Sequence, residues 1–188
     1  MRVIITAMVA ILLPTNGTLA FRSTTVSVVL RKAHDVTQRQ LTLEVIKAWE
    51  EAGATYGRIN QNELGYYFEA DPPKEGDLPF FEVRGDLQLS KLPAPDVQFG
   101  LVYSHVSDAD LKELTTLKYL KALIVAYSGV TDAGVKEIAK LKQLQMLDLG
   151  HTHVTDTGIK ELAALKQLRT LDLNLTGVTD MGLEELNN

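Results

Sequence analysis

The chain has 188 residues, of which 45% are hydrophobic and 23% are charged, and its formal net charge is −5. This size and composition are typical of a globular protein of one or two domains. The negative charge argues against nucleic acid as a main partner, because phosphate binding needs a clustered basic surface. The absence of cysteine excludes disulfides, thiolate metal sites and cysteine nucleophiles.

The first twenty residues have the layout of a secretory signal peptide. Arg2 supplies a positive start, the stretch 3–13 is uncharged, and the small residues Thr18 and Ala20 fit a cleavage site after position 20. The uncharged run is shorter than the roughly 20 residues needed to cross a bilayer. We therefore predict a signal peptide over 1–20 and a secreted, periplasmic or cell-surface location. An uncleaved membrane anchor and a cytoplasmic chain with an apolar first strand are the alternatives.

Residues 21–80 are predicted to form an α+β cap on the N-terminal side of a repeat array. Apolar residues at helical spacing predict a helix over 37–52, and the stretches 54–59 and 64–70 are typical of strands. A cap is expected because the end of a repeat array exposes apolar faces that terminal units must cover. A separate ligand-binding domain is the alternative.

A 24-residue repeat follows. Val-Ser-Asp or Val-Thr-Asp begins each unit, which gives full units over 106–129, 130–153 and 154–177 and a partial unit over 178–188. Apolar residues three apart follow the Asp, which predicts a short helix with the Asp as N-cap. The next stretch alternates with period two, as a strand does. These elements predict an α/β solenoid with a parallel sheet on the concave side and short helices on the convex side.

A weaker copy of the strand precedes the first full unit. Residues 99–106 align one for one with 123–130, so we expect this strand to be offset by 24 residues like the others. Residues 79–85 are a further candidate strand, and the stretch 87–97 contains two prolines and is predicted to be a distorted turn. The repeat region is therefore predicted to span 81–188.

The units resemble the leucine-rich-repeat family, whose consensus is L-x-x-L-x-L-x-x-N/C-x-L. The second unit reads Leu144-x-x-Leu147-x-Leu149-x-x-Thr152-x-Val154. A hydroxyl residue replaces the usual Asn or Cys, and we expect it to bond to the backbone of adjacent turns. The Val-Thr-Asp-x-Gly start is similar to a cysteine-free bacterial type related to the repeats of F-box proteins. The resemblance implies the fold and leaves the function open.

The sequence contains no recognisable catalytic motif. Dinucleotide-binding, phosphate-loop, nucleophile-elbow and zinc-protease patterns are all absent. The suggestive polar cluster is His151 and His153 with Asp148 and Asp172, whose strand positions should lie about 5 Å apart. Because exposed strand positions tolerate such residues without a ligand, we predict no catalytic residue, no metal and no cofactor.

The residues between the inward-facing leucines are predicted to line the concave face and to bind a partner. Tyr103, Tyr127 and His151 align at the strand ends beside Ile124 and Met146, which gives an apolar and aromatic patch typical of interfaces. A purely structural stack of the two tyrosines is the alternative. The predicted partner-binding residues are Tyr103, Ile124, Tyr127, Met146, Asp148, His151, Thr170, Asp172 and Asn174.

The sequence as a whole favours a non-enzymatic binding module of an exported protein. Its expected partner is a protein or a surface polymer, with no nucleic acid and no membrane span after signal removal. One alternative is a substrate-recognition adaptor of the F-box, ubiquitin-ligase type, although no F-box-like helices precede the repeats. Another is an enzyme with its site in the N-terminal region, although residues 21–80 contain a single histidine, His34. A fragment of a longer repeat array is a third interpretation.

Overall fold

The computed structural model describes residues 4–6, 41–62, 65–74 and 77–186. Apart from residues 4–6, the predicted signal peptide lies outside the described residues, as does the start of the predicted N-terminal helix. No helix in the described ranges is both long enough and apolar enough to cross a membrane.

The described residues form an eight-stranded sheet flanked by short helices. Along the sheet the strand order is β1-β8-β7-β6-β5-β4-β2-β3, with parallel pairing from β4 to β8 and an antiparallel hairpin of β2 and β3 at one edge. The strands are β1 (Ile4–Thr6), β2 (Thr55–Asn62), β3 (Gly65–Glu69), β4 (Phe80–Arg84), β5 (Phe99–Ser104), β6 (Leu120–Ile124), β7 (Met146–Asp148) and β8 (Thr170–Asp172). The helices are α1 (Leu43–Glu51), α2 (Asp132–Ile138), α3 (Asp156–Ile159) and α4 (Asp180–Glu185), with 3₁₀ turns at Leu89–Lys91, Asp110–Thr116 and Lys160–Ala164. The predicted solenoid architecture is confirmed.

One apolar core runs through the array because equivalent leucines stack from strand to strand. Leu123, Leu147 and Leu171 pair in register on β6, β7 and β8, and none is more than 1% exposed. Burial of each such side chain contributes about 1.5–3 kcal/mol, which holds helices of only one or two turns in place.

The aspartate at the third position of each full unit joins neighbouring repeats, and the prediction that it caps its own helix is wrong. The N-cap of α2 is Thr131, and Asp132 is the first helical residue. The Asp132 carboxylate accepts hydrogen bonds from the backbone N–H and the hydroxyl of Thr155 in the next unit, at 2.8 and 2.7 Å. The equivalent pairs are Asp108 with Thr131 and Asp156 with Thr179.

The glycine two residues after the aspartate leaves room for this contact. A Cβ atom at Gly158 would overlap the Asp132 carboxylate, and one at Gly182 would overlap that of Asp156. The Val-Thr-Asp-x-Gly pattern therefore encodes the junction between repeats.

Aromatic side chains cover the N-terminal end of the core. Trp49 of α1 is fully buried, stacks on Phe81 at a centroid distance of 4.5 Å, and meets the ring of Phe99 edge-on at 6.1 Å. Its indole N–H donates to the backbone oxygen of Pro93 at 2.9 Å. These contacts bury the apolar face that the first repeat would otherwise present to water.

Strand β5 is shifted by two residues from its predicted register with β6. Leu101 pairs with Leu123, an offset of 22 residues and not 24. The left-handed residue that follows the strand is His105 in this unit and Tyr127 in the next, which are also 22 apart. Val106 therefore follows His105 directly, whereas two residues separate Val130 from Tyr127 in the next unit.

Candidate binding surface

Tyr103 belongs to the core, which corrects its assignment to the concave face. Because of the two-residue shift, Tyr103 is equivalent to Val125 of the next unit and not to Tyr127. It therefore lies at an inward position of the strand, two residues after Leu101. It is 1% exposed, and burial together with nearby carboxylates raises the pKa of its hydroxyl above the ordinary value. Tyr103 is therefore unavailable to a partner.

Ile124 does face the concave side, but the protein itself covers it. It is 8% exposed and packs in a second small apolar cluster with Phe80 and Ala122. Phe68 from the β2–β3 hairpin and Met146 pack against the same cluster. The N-terminal segment thus occupies the early part of the concave face and leaves the part formed by β7 and β8 as the candidate surface.

Two carboxylates lie side by side on this later part. Asp148 and Asp172 pair in register on β7 and β8. One oxygen of Asp148 accepts the N–H of Gly150 at 2.8 Å, and one oxygen of Asp172 accepts the N–H of Asn174 at 2.8 Å. Both carboxylates therefore turn towards the C-terminal ends of their strands.

The environment of Asp148 disfavours negative charge. Burial raises the pKa of Asp148 to about 6, a hydrogen bond from Gly150 acts in the opposite direction, and the charge of Asp172 raises it further. Within the described ranges, no lysine or arginine forms an ion pair with either carboxylate. The two carboxylates therefore lie side by side without an ion-pair partner among the described residues.

A column of four side chains, which we call the rim column, borders the concave face just beyond the strands. All four residues have left-handed backbone, with φ between 54° and 56°: His105, Tyr127, His151 and Leu175. A non-glycine residue in this conformation costs about 1–2 kcal/mol. Tyr127 is 75% exposed and Leu175 is 66% exposed, so burial of these side chains offsets little of the cost.

The exposed rings of the rim column stack across neighbouring repeats. The Tyr127 and His151 rings lie 4.0 Å apart between centroids and 17° from parallel. The predicted stack of Tyr103 on Tyr127 does not form, because Tyr103 is in the core and His105 occupies the rim position. The stacked pair presents a flat aromatic surface to solvent.

The four-residue polar cluster seen in the sequence is only partly brought together. His151 stacks on Tyr127, while the backbone N–H of His153 donates to the backbone oxygen of Val130, at the start of the same unit, at 2.9 Å. Across the described ranges, no group of three or more histidine and carboxylate side chains has the arrangement of a metal site. Thr170 and Asn174, also predicted to contact a partner, are half-buried beside Asp172 on the same face.

Comparison with known proteins identifies the repeats. The family model described as leucine-rich repeat matches residues 116–139, 142–163 and 166–186. The solved structure of an internalin from Listeria monocytogenes is 20% identical with a TM-score of 0.33, and the match covers 52% of this chain and 33% of that chain. This chain thus spans about a third of that internalin chain. A search of curated proteins found no match. Residues 116–186 of this protein are therefore an array of leucine-rich repeats.

Proposed function

We propose that this protein is a non-enzymatic binding module whose rim column and neighbouring concave residues hold a protein partner. The observation that carries the proposal is the choice of side chains at the left-handed positions. Glycine or asparagine would adopt this backbone at lower cost. Tyrosine, histidine and leucine stand there instead, largely exposed, so the fold gains little from them.

The chemistry of the rim suits recognition of a protein. Aromatic residues are enriched at protein interfaces, because a rigid ring contributes a large contact area at a low cost in conformational entropy. Tyr127 lies in the middle of the column with its ring face supported by His151. We therefore expect Tyr127 to be the main anchor, with Met146, Thr170 and Asn174 supplying surrounding contacts.

Selection from a displayed library of random peptides tests this proposal. Peptides enriched on the wild-type protein should lose about thirtyfold in affinity for Tyr127→Asn, since truncating an anchor typically costs about 2 kcal/mol. Asparagine tolerates the left-handed backbone, so the ring is removed with little strain on the fold. Glu161→Gln, an exposed change on the convex side, is the matched control and should bind normally.

Two results would contradict the proposal. Peptides could bind Tyr127→Asn as tightly as the wild type, or their binding could depend on Glu161. Either result would move the site away from the rim. Thermal unfolding of both variants checks that each remains folded.

We further propose that the protein is exported, on the basis of the predicted signal peptide, and that cleavage of this peptide removes β1 from the edge of the sheet beside β8. Intact mass spectrometry of protein recovered outside the cytoplasm should give the mass of a chain beginning at Phe21. A mass equal to that of the full sequence would favour an anchored or cytoplasmic protein.

A further inference from the structure

We propose that the edge of β8 docks an extended segment of a partner protein, which adds to the sheet as a parallel strand. In the full chain β1 closes this edge, so removal of residues 1–20 would open it. The inference rests on the proposed export, and its site is separate from the rim column. Three features support it: the pairing of β1, the backbone groups of β8 and the apolar row that ends at Leu171.

Strand β1 occupies the edge in the way that one more strand of the array would. It pairs with β8 in parallel, with Ile5 level with Leu171. Strand β8 pairs with β7 in the same direction, with Leu171 level with Leu147. Residues 4–6 lie outside the repeats, so the edge accepts an extended segment that is not itself part of a repeat unit.

The backbone of β8 has hydrogen-bonding groups on this side that lose their partners when β1 is absent. On the other side, the backbone oxygen of Asp172 accepts the N–H of Leu149 at 2.9 Å, and the N–H of Thr170 donates to the backbone oxygen of Gln145 at 3.1 Å. Backbone groups of successive strand residues point to alternate sides, so those of Leu171 point away from β7 and towards β1. An extended peptide can satisfy them, and such main-chain bonds give strand addition its affinity.

The inward row of leucines determines which residue the added strand needs. Leu123, Leu147 and Leu171 are each no more than 1% exposed with β1 in place. Residues that are level in neighbouring parallel strands share a face of the sheet, so an apolar side chain level with Leu171 would extend this row. In β1 this register position holds Ile5. The partner segment is therefore expected to carry a β-branched residue or leucine there.

The two ends of the apolar core are covered in different ways. Trp49 and the rings of Phe81 and Phe99 pack over the N-terminal end. Beside β8, the strand that covers the sheet edge in the described ranges is β1. Leu175 and Met181, which follow β8 in the chain, are 66% and 73% exposed. Removal of β1 would thus leave an unpaired edge next to apolar surface, which is a template for strand addition.

Fluorescence anisotropy with a labelled peptide tests the inference. The probe has the sequence of residues 2–8 and is titrated with the purified full chain and with the chain that begins at Phe21. The processed chain should bind the probe at least about tenfold more tightly, because in the full chain β1 competes for the edge at a high effective concentration. A probe with aspartate in place of Ile5 should not bind, since a charge would then face the apolar core.

N-methylated probes separate strand pairing from general apolar attraction. In the observed register the backbone N–H of Thr6 faces β8, whereas that of Ile5 faces away from it. Methylation of the amide at Thr6 should weaken binding by about tenfold or more, because a hydrogen bond of the ladder is lost. Methylation at Ile5 is the matched control and should leave the affinity within about twofold.

Full-chain variants make the test independent of export. Ile5→Asp should release β1 from the edge, so the full chain should bind the probe about as tightly as the processed chain. Ile5→Val keeps a β-branched apolar residue and should leave the edge closed. Circular dichroism checks that both variants remain folded. Tyr127→Asn in the processed chain should bind the probe normally, because the rim is a different site.

Each outcome bears on a different part of the inference. Equal binding of the two N-methylated probes, or of Ile5→Asp and Ile5→Val, would overturn it. A processed chain that sediments as a dimer and does not dissociate on addition of the probe would replace the partner protein by a second copy. If no chain beginning at Phe21 exists but Ile5→Asp binds the probe, the edge is a docking site and its opening by export is wrong.

Discussion

Replacing Asp148 by asparagine should stabilise the folded protein at neutral pH. Burial raises the pKa of this carboxyl from 3.8 to about 6, which means that the fold disfavours its ionised form. One pKa unit corresponds to about 1.4 kcal/mol, so the ionised group costs the folded state up to about 3 kcal/mol at pH 7. Asparagine removes the charge, and its side-chain oxygen can still accept the N–H of Gly150.

The stabilisation should depend on pH in a defined direction. The folded pKa of Asp148 lies above the unfolded one, so between about pH 4 and pH 6 the folded protein binds an additional proton. The penalty is therefore complete above about pH 6 and is absent below about pH 4. Hydrogen bonds from Thr179 lower the pKa of Asp156, so the stability that this carboxylate contributes is lost as the pH falls. Subtracting the variant from the wild type at each pH removes that contribution.

Urea titrations of both proteins between about pH 4 and pH 8 provide the measurement. At pH 7 the free energy of unfolding of Asp148→Asn should exceed that of the wild type by about 1–3 kcal/mol, and the difference should shrink towards zero near pH 4. Glu161→Gln should stay within about 0.5 kcal/mol of wild type throughout. A variant less stable than wild type at pH 7, or a difference that is constant with pH, would refute the reasoning.

Three further substitutions, together with one exposed control, test the repeat junctions and the rim by urea unfolding. Leu147→Ala should lower the free energy of unfolding by about 2–5 kcal/mol, because it leaves a cavity between units. The exposed control Lys136→Ala should change it by no more than about 0.5 kcal/mol, and equal effects would show that the inward register is wrong. Asp132→Ala should cost about 1–2 kcal/mol, since the N–H and hydroxyl of Thr155 lose their acceptor; no loss of stability would mean that this junction contributes nothing. Tyr127→Gly should leave stability unchanged or raise it by up to about 1 kcal/mol, because glycine relieves the left-handed strain, and a clear loss would show that the ring supports the fold.

The repeating part of the fold could be determined from the sequence alone. A 24-residue period with leucines at fixed positions leaves one way to bury every unit, which is to stack strand on strand and helix on helix. Leu147 therefore lies inward as its position in the pattern requires. Tyr127 and His151 could likewise be placed side by side, because equivalent positions of identical repeats must be neighbours in space.

Only the tertiary structure decided the features that depend on contacts between units. Strand alternation has a period of two, so an offset of 22 or of 24 residues between β5 and β6 would put the same side chains inward. The observed offset is 22 residues, because the turn after His105 is shorter than the equivalent turns of later units. The repeated aspartate suits both a helix cap and an acceptor for the next repeat, and the position of Thr155 selects the second role for Asp132. Ile124 is buried by Phe68 and Phe80, which are far from it in the sequence, so no local sequence pattern predicts this contact. Asp148 and Asp172 come together only once β7 and β8 are paired, because the two carboxylates belong to adjacent repeats.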